Sequence, residues 1–171
     1  MKARPCDELI LALYPTVRGF AYALFEAPLS PVDWGTREFI GPDKNARTLA
    51  GIARLCKAAR PETIVIEDGV GESSKRSQRV QRLLGLIGAM AEVENITLVR
   101  YSRRAIRETF HHPSITRQEI AQAIATYIPA LSDRLPPMRK LWQSEDPRLW
   151  IFDAASLALT HYARAMDDEP P

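Results

Sequence analysis

Apolar and polar positions change period several times along the chain, and each change predicts an element. Leu9 to Leu13 is an apolar run followed by the turn-like Tyr14-Pro15-Thr16, and Arg18 to Phe25 is rich in aromatic and small residues. The two runs predict a β-hairpin. Pro28 and Pro31 interrupt the chain, after which Val32 to Phe39 alternates as a third antiparallel strand. The period then lengthens. Lys44 to Ala59 sets Leu49, Ile52, Ala53 and Cys56 at helical spacing, with Pro61 beyond the helix end. Thr63 to Glu67, TIVIE, is continuously apolar until its acid, which suits a central strand covered on both faces and lying beside the first. Val80, Leu83, Leu84, Ile87 and Met90 mark a helix to about Val93, and Ile96 to Tyr101 is a fifth strand. Ser102 caps a short helix through Thr109, and Thr116 with Glu119 has the capping-box spacing for another that ends near Pro129. Ser132 to Pro147 is a long proline-containing loop before a last helix over Arg148 to Met166, with Ile151, Ala154, Ala155, Ala158, Leu159 and Tyr162 inward. The order is βββαβαβ followed by helices, and 171 residues predict one domain over 1–171 with a frayed tail at about 167–171.

Composition narrows the class only a little. The chain is 46% hydrophobic, enough for a core, and has no apolar stretch near the roughly 20 residues of a membrane span. Its N-terminal apolar run is too short for a signal peptide, so a cytoplasmic location is expected. Cys6 and Cys56 lack metal-ligand or disulfide spacing, and the expected states are a free Cys6 and a buried Cys56. A net charge of +2 does not announce a nucleic-acid binder. The arginines, however, are clustered. Lys75, Arg79 and Arg82, with Arg76 beside them, start the helix after the Glu67 loop, and Arg100, Arg103, Arg104 and Arg107 follow the fifth strand. Each cluster reads as a phosphate-binding face or as a solvated helix face. Arg139, Lys140 and Trp142 form a third candidate contact, or Trp142 anchors its loop. Trp34, Trp150 and His161 read as structural, and His111 and His112 as exposed turn residues.

The hairpin ILALYPTVRGFAYALF, the strand IVIED with Glu67, the segment YSRRAIRETF and the closing FDAASLALTHYAR with Asp153 resemble, in order and spacing, the RuvC-type Holliday junction resolvases of the ribonuclease H-like superfamily. The resemblance spans about residues 9–165. It implies an α/β fold with a mixed five-stranded sheet, three antiparallel strands then two parallel, flanked by helices. It also implies two-metal cleavage of a phosphodiester, in which carboxylates hold magnesium or manganese ions about 3.5–4 Å apart. Glu67 and Asp153 fall on two of the family's acidic positions. Tyr14 falls where the family has its bridging aspartate, and Trp150, one helical turn before Asp153, where a second helix acid is often found. A phenol is neutral at pH 7 and a poor magnesium ligand, so the implied metal and mechanism do not carry over unchanged.

Other acids are candidates to complete a metal site with Glu67 and Asp153: Asp68, Glu72, Glu145 and Asp146. The catalytic candidates are Glu67, Asp153 and Tyr14. In the resemblance Arg104, Arg107 and Arg117 fall on positions that contact DNA backbone or the scissile phosphate. The candidate nucleic-acid contacts are Lys75, Arg76, Arg79, Arg103, Arg104, Arg107, Arg117 and Lys140. Branched or structured DNA is the implied partner, and a homodimer through the helix at about Ser77 to Val93 is implied as well, although its apolar stripe serves a core equally. Three readings stand: a divergent endonuclease, a catalytically silent DNA-binding module, and an interaction scaffold that keeps only the fold.

Overall fold

The computed structural model describes residues 8–69 and 76–167. Cys6, Glu72 and Lys75 therefore lie outside the described residues, as does most of the expected tail. The elements are β1 (Ile10–Pro15), β2 (Gly19–Ala27), β3 (Ser30–Glu38), α1 (Lys44–Ala59), β4 (Thr63–Glu67), α2 (Gln78–Val93), β5 (Thr97–Tyr101), α3 (Arg103–Thr109), α4 (Arg117–Tyr127) and α5 (Leu149–Asp167). A short 3-10 helix at Pro129–Arg134 follows α4. It occupies the start of the segment expected as loop, where proline supplies the fixed φ of a first helical position.

One sheet carries all five strands in the order β3-β2-β1-β4-β5. β1 pairs antiparallel with β2 and parallel with β4, and β4 pairs parallel with β5. The hairpin differs from expectation at its turn. Tyr14 and Pro15 complete β1, opposite Ala21 and Phe20, and Thr16-Val17-Arg18 make the reversal. Thr16 N–H donates to the Gly19 carbonyl at 2.9 Å, and Thr16 Oγ1 accepts from the Gly19 N–H at 3.0 Å. That local closure outweighs the turn preference of Pro15. Gly19 is required sterically, because a Cβ there would lie 2.0 Å from the Arg37 carbonyl oxygen of β3. β5 starts one residue later than the periodicity predicts, because the Ile96 N–H is engaged with the Ala91 carbonyl at the end of α2.

Strand alternation divides the core in two. Leu11, Leu13, Ile64 and Ile66 point to one face and pack with Ile52 and Cys56 of α1 and Val80, Leu83, Leu84 and Ile87 of α2. The stripe of α2 is thus used within this chain, leaving Leu86 and Val93 of that helix exposed. Ile10, Ala12 and Val65 point to the other face and pack with α4 and α5. β4 is buried along its whole length, as a strand covered on both sides must be. α5 lies against β1, β2 and β4, and Ala154, Ala155 and Ala158 keep its backbone close to the sheet. Phe20, Phe25 and Phe152 are almost completely buried, each worth about 1.5–3 kcal/mol of transfer free energy. Trp34 and Trp150 pack at the edge of this second core, and His161 meets Tyr101 Oη through Nδ1 at 3.1 Å. No helix among the described residues is long and apolar enough to cross a membrane.

Candidate functional site

The same alternation aims the chemistry. Ile10, Ala12 and Tyr14 share one face of β1, and Val65 and Glu67 share that face of β4. The last paired residues of the two strands are Leu13 and Ile66, so Tyr14 and Glu67 stand side by side one step further on. α5 crosses their C-terminal ends and brings Asp153, and α3 and α4 bring Arg103 and Arg117. These five side chains line one pocket with Ile106, Ile120, Ser156 and Leu157.

Every acidic or phenolic group in that pocket is held by arginine. Glu67, 5% exposed, accepts from Arg103 Nε at 2.8 Å on one oxygen and from Arg76 Nε at 3.0 Å and Arg76 Nη2 on the other. Asp153 accepts a two-pronged guanidinium, Arg117 Nε at 3.0 Å and Nη2. The remaining Arg117 Nη1 donates to Glu145. Tyr14 Oη accepts from Arg103 Nη2 at 3.1 Å, and its ring lies under the Arg76 guanidinium, 4.3 Å from the centroid, with Arg117 at 5.8 Å. Three carboxylates thus meet three guanidiniums through charge-assisted, partly bidentate bonds, the arrangement in which arginine is strongest. Arg76 Nη1 also reaches the Pro15 carbonyl at 3.0 Å, which ties the start of α2 to the end of β1.

The electrostatics follow from burial opposed by pairing. Burial raises the Tyr14 phenol above its ordinary value and the Asp153 charge adds to this, against the three arginines; the ring is therefore neutral at physiological pH. Burial also raises the Asp153 carboxyl, while the Arg117 hydrogen bonds and charge and the Arg103 charge lower it. For Arg117 and Arg103 burial is the largest influence and lowers them, yet both stand above their ordinary value because the carboxylates they hold outweigh it. The two-pronged geometry identifies the Asp153 pair as carboxylate and guanidinium.

The other candidates are distributed differently. Asp68 is exposed, and its N–H extends the ladder to the Tyr101 carbonyl at 2.8 Å; it does not line the pocket. Asp146 pairs with Arg148 through both carboxylate oxygens at the start of α5, and it is the exposed Glu145 that meets Arg117. Arg79 is a strut, donating to the Thr16 carbonyl at 2.7 Å and to Asn45 Oδ1 at 2.8 Å. Arg76, Arg103 and Arg117, expected as phosphate contacts, are engaged with pocket acids. Arg104, whose side chain is 87% exposed, pairs with Glu108 at 2.8 Å; Arg107 and Lys140 are exposed. The pairing of Arg76, Arg103 and Arg117 with acids is what the sequence reading missed. No local signal marked it, since the partners lie nine and 36 residues apart.

No family model and no curated protein sequence matches the chain, whereas solved structures do. Thermus thermophilus RuvC in complex with Holliday junction substrate shares 14% identity over 94% of this chain and 96% of that one, with a TM-score of 0.70. The yeast mitochondrial Holliday junction resolvase Ydc2 shares 14% over 94% and 81%, TM-score 0.61. The fowlpox virus resolvase in complex with substrate Holliday junction DNA shares 14% over 91% and 97%, TM-score 0.56. The fold is therefore RuvC-like, a ribonuclease H-like mixed sheet of three antiparallel and two parallel strands flanked by helices.

Proposed function

We propose that this protein binds branched DNA and does not cleave it by two-metal chemistry. The observation that carries the reading is the occupation of both pocket carboxylates by arginine forks, with a neutral phenol between them. Two divalent ions need several anionic oxygens with free lone pairs converging on one volume. Here the oxygens already accept hydrogen bonds from cations, and among the described residues no three His, Cys, Asp or Glu side chains gather as a metal-holding group. The accessible space in the pocket is about 20 Å³, room for about one water molecule. The donor set does not fit a magnesium or manganese pair.

Support for the DNA half of the reading is the fold held in common with junction-binding resolvases and the exposed Arg104 and Arg107 on α3, the helix that also supplies Arg103 and Ile106 to the pocket. Cations there bind phosphate with affinity that falls steeply with salt. The test is a paired gel-shift and cleavage assay on a four-way junction and a linear duplex, with magnesium or manganese present. The reading expects salt-sensitive, junction-preferring binding that Arg104→Ala/Arg107→Ala weakens, and no cut product. Metal-dependent cutting that Glu67→Gln abolishes would restore the endonuclease reading. Absence of junction binding would leave only an interaction scaffold.

A further inference from the structure

The segment between the 3-10 helix and α5 carries three large exposed apolar groups: Met138 at 70%, Leu141 at 98% and Trp142 at 79% exposure. Trp142 therefore does not anchor the loop, which was one of its two expected roles. The loop is held by other bonds. At its start Gln118 Nε2 of α4 donates to the Pro136 carbonyl at 3.0 Å, and at its end the exposed Glu145 accepts from Arg117, whose guanidinium lines the pocket.

Between these anchors, Lys140 to Gln143 form a tight turn. Gln143 N–H donates to the Lys140 carbonyl at 3.0 Å, Lys140 N–H to Gln143 Oε1 at 2.9 Å, and Arg139 Nη1 to the Gln143 carbonyl at 3.1 Å. Leu141 and Trp142 are its two central residues. Turn apices normally take Gly, Pro, Asn, Asp or Ser, so a Leu-Trp apex presented to water has a hydrophobic cost that folding does not explain. From Leu135 to Ser144 the chain holds Arg139 and Lys140 and no acid. The Lys140 ammonium lies 5.3 Å from the Trp142 ring centroid. An aromatic and an aliphatic wedge flanked by cations matches a polyanion with accessible π-faces.

We infer that the Lys140–Gln143 turn is a stacking wedge for an unpaired or unstacked base at a DNA branch point, with Trp142 against the base and Arg139 and Lys140 at the flanking phosphates. The inference rests on the branched-DNA reading and names the element that distinguishes a branch from plain duplex. A regular duplex offers the turn no open base face; a branch point does. Stacking of a base on an aromatic side chain is sequence-tolerant, and apolar wedges between base steps are a general device for holding distorted DNA.

The test uses the full chain and measures binding by fluorescence anisotropy to a four-way junction and to a linear duplex. A parallel junction carries 2-aminopurine at the branch. Trp142→Ala is expected to weaken junction binding by about tenfold, in keeping with the loss of one stacked base. Duplex binding should stay within about twofold of wild type, and Trp142→Phe should keep most of the affinity. Wild type should change the 2-aminopurine emission and Trp142→Ala should not. If Trp142→Ala binds the junction as wild type does while Arg104→Ala/Arg107→Ala loses it, the wedge is overturned and the DNA reading survives. If wild type binds no junction, both fall. Binding to phosphatidylglycerol vesicles that Trp142→Ala abolishes, with junction affinity unchanged, assigns the turn to a membrane and also overturns the wedge.

Discussion

Replacing Arg117 by methionine tests whether the pocket is held together as an ion-pair unit. The Arg117 side chain is 20% exposed and that of Asp153 11%, so both ends of the pair are largely out of water. Arg117→Met keeps the aliphatic stem but removes both bonds to Asp153 and the one to Glu145, leaving a carboxylate in a poorly solvated pocket. Breaking one side of such a buried pair costs about 3–5 kcal/mol. Residual exposure and the nearby Arg103 charge place this case at the lower end, about 3 kcal/mol. For a chain of this length that corresponds to a fall in Tm of roughly 6–12 °C. The double variant Arg117→Met/Asp153→Leu removes the stranded charge as well and should return to within about 1 kcal/mol of wild type. Urea unfolding followed by circular dichroism gives both values, with the m-value checked for constancy. A single-variant loss below about 1 kcal/mol, or a double variant no better than the single, would refute the claim that Asp153 depends on Arg117 for its charge balance.

Tyr14→Asp should not create a manganese site by itself, because Arg103 would pair with the new carboxylate. A thermal shift with and without manganese should coincide, and a clear metal-dependent rise in Tm would contradict the arginine-filled pocket. Cys56 is 5% exposed and burial pushes its thiol up to about 11. In a Cys6→Ser background the native chain should therefore fail to react with a disulfide reagent at pH 8 and react in urea. Thr116 caps α4 with a full capping box, so Thr116→Ala should cost about 1 kcal/mol in the same urea assay. Its partner Glu119 is held below the usual carboxylate range by the Thr116 N–H and hydroxyl. The stability that this bond contributes is present above the unfolded glutamate value and is lost as pH falls through the folded one. Thr116→Ala keeps the N–H and removes only the hydroxyl bond, so it should make that part of the acid limb shallower without abolishing it.

Periodicity made most of the frame legible. The all-apolar run of β4 and the helical stripes of α1, α2 and α5 depend on burial, and burial leaves its mark directly on residue type. The convergence of Tyr14, Glu67 and Asp153 could be reached from strand parity and the family resemblance together. Local closure was less visible. The Thr16 hydroxyl bond that moves the β1–β2 turn past Pro15 depends on one side chain and one amide, and no window average detects it. The pocket's charge balance was hidden for another reason. Arg76 pairs with an acid nine residues away, and Arg103 and Arg117 with acids 36 residues away. Those separations cross elements, so the arginines read as a phosphate-binding face until their partners are seen. Glu145 and Asp146 are adjacent in sequence, and only the entry of the chain into α5 decides which of them meets Arg117.

The charged and aromatic groups of the pocket make sense as one coupled arrangement. Two carboxylates brought to the ends of adjacent strands and a crossing helix repel each other unless cations stand among them. In a nuclease metal ions can supply that charge. A neutral phenol stands at position 14, and without cations Glu67 and Asp153 would be buried, uncompensated anions. Guanidiniums restore neutrality and satisfy the carboxylate lone pairs, and the Tyr14 ring offers the Arg76 fork an aromatic face. An arginine is covalently fixed, however, and its guanidinium does not lower the pKa of a bound water as a divalent ion does. On the DNA-binding reading, recognition then has to take place outside the pocket, on the exposed Arg104 and Arg107 of α3 and on the Leu141–Trp142 apex. The ion pairs within serve to hold α3, α4 and the loop before α5 in the geometry that presents those groups.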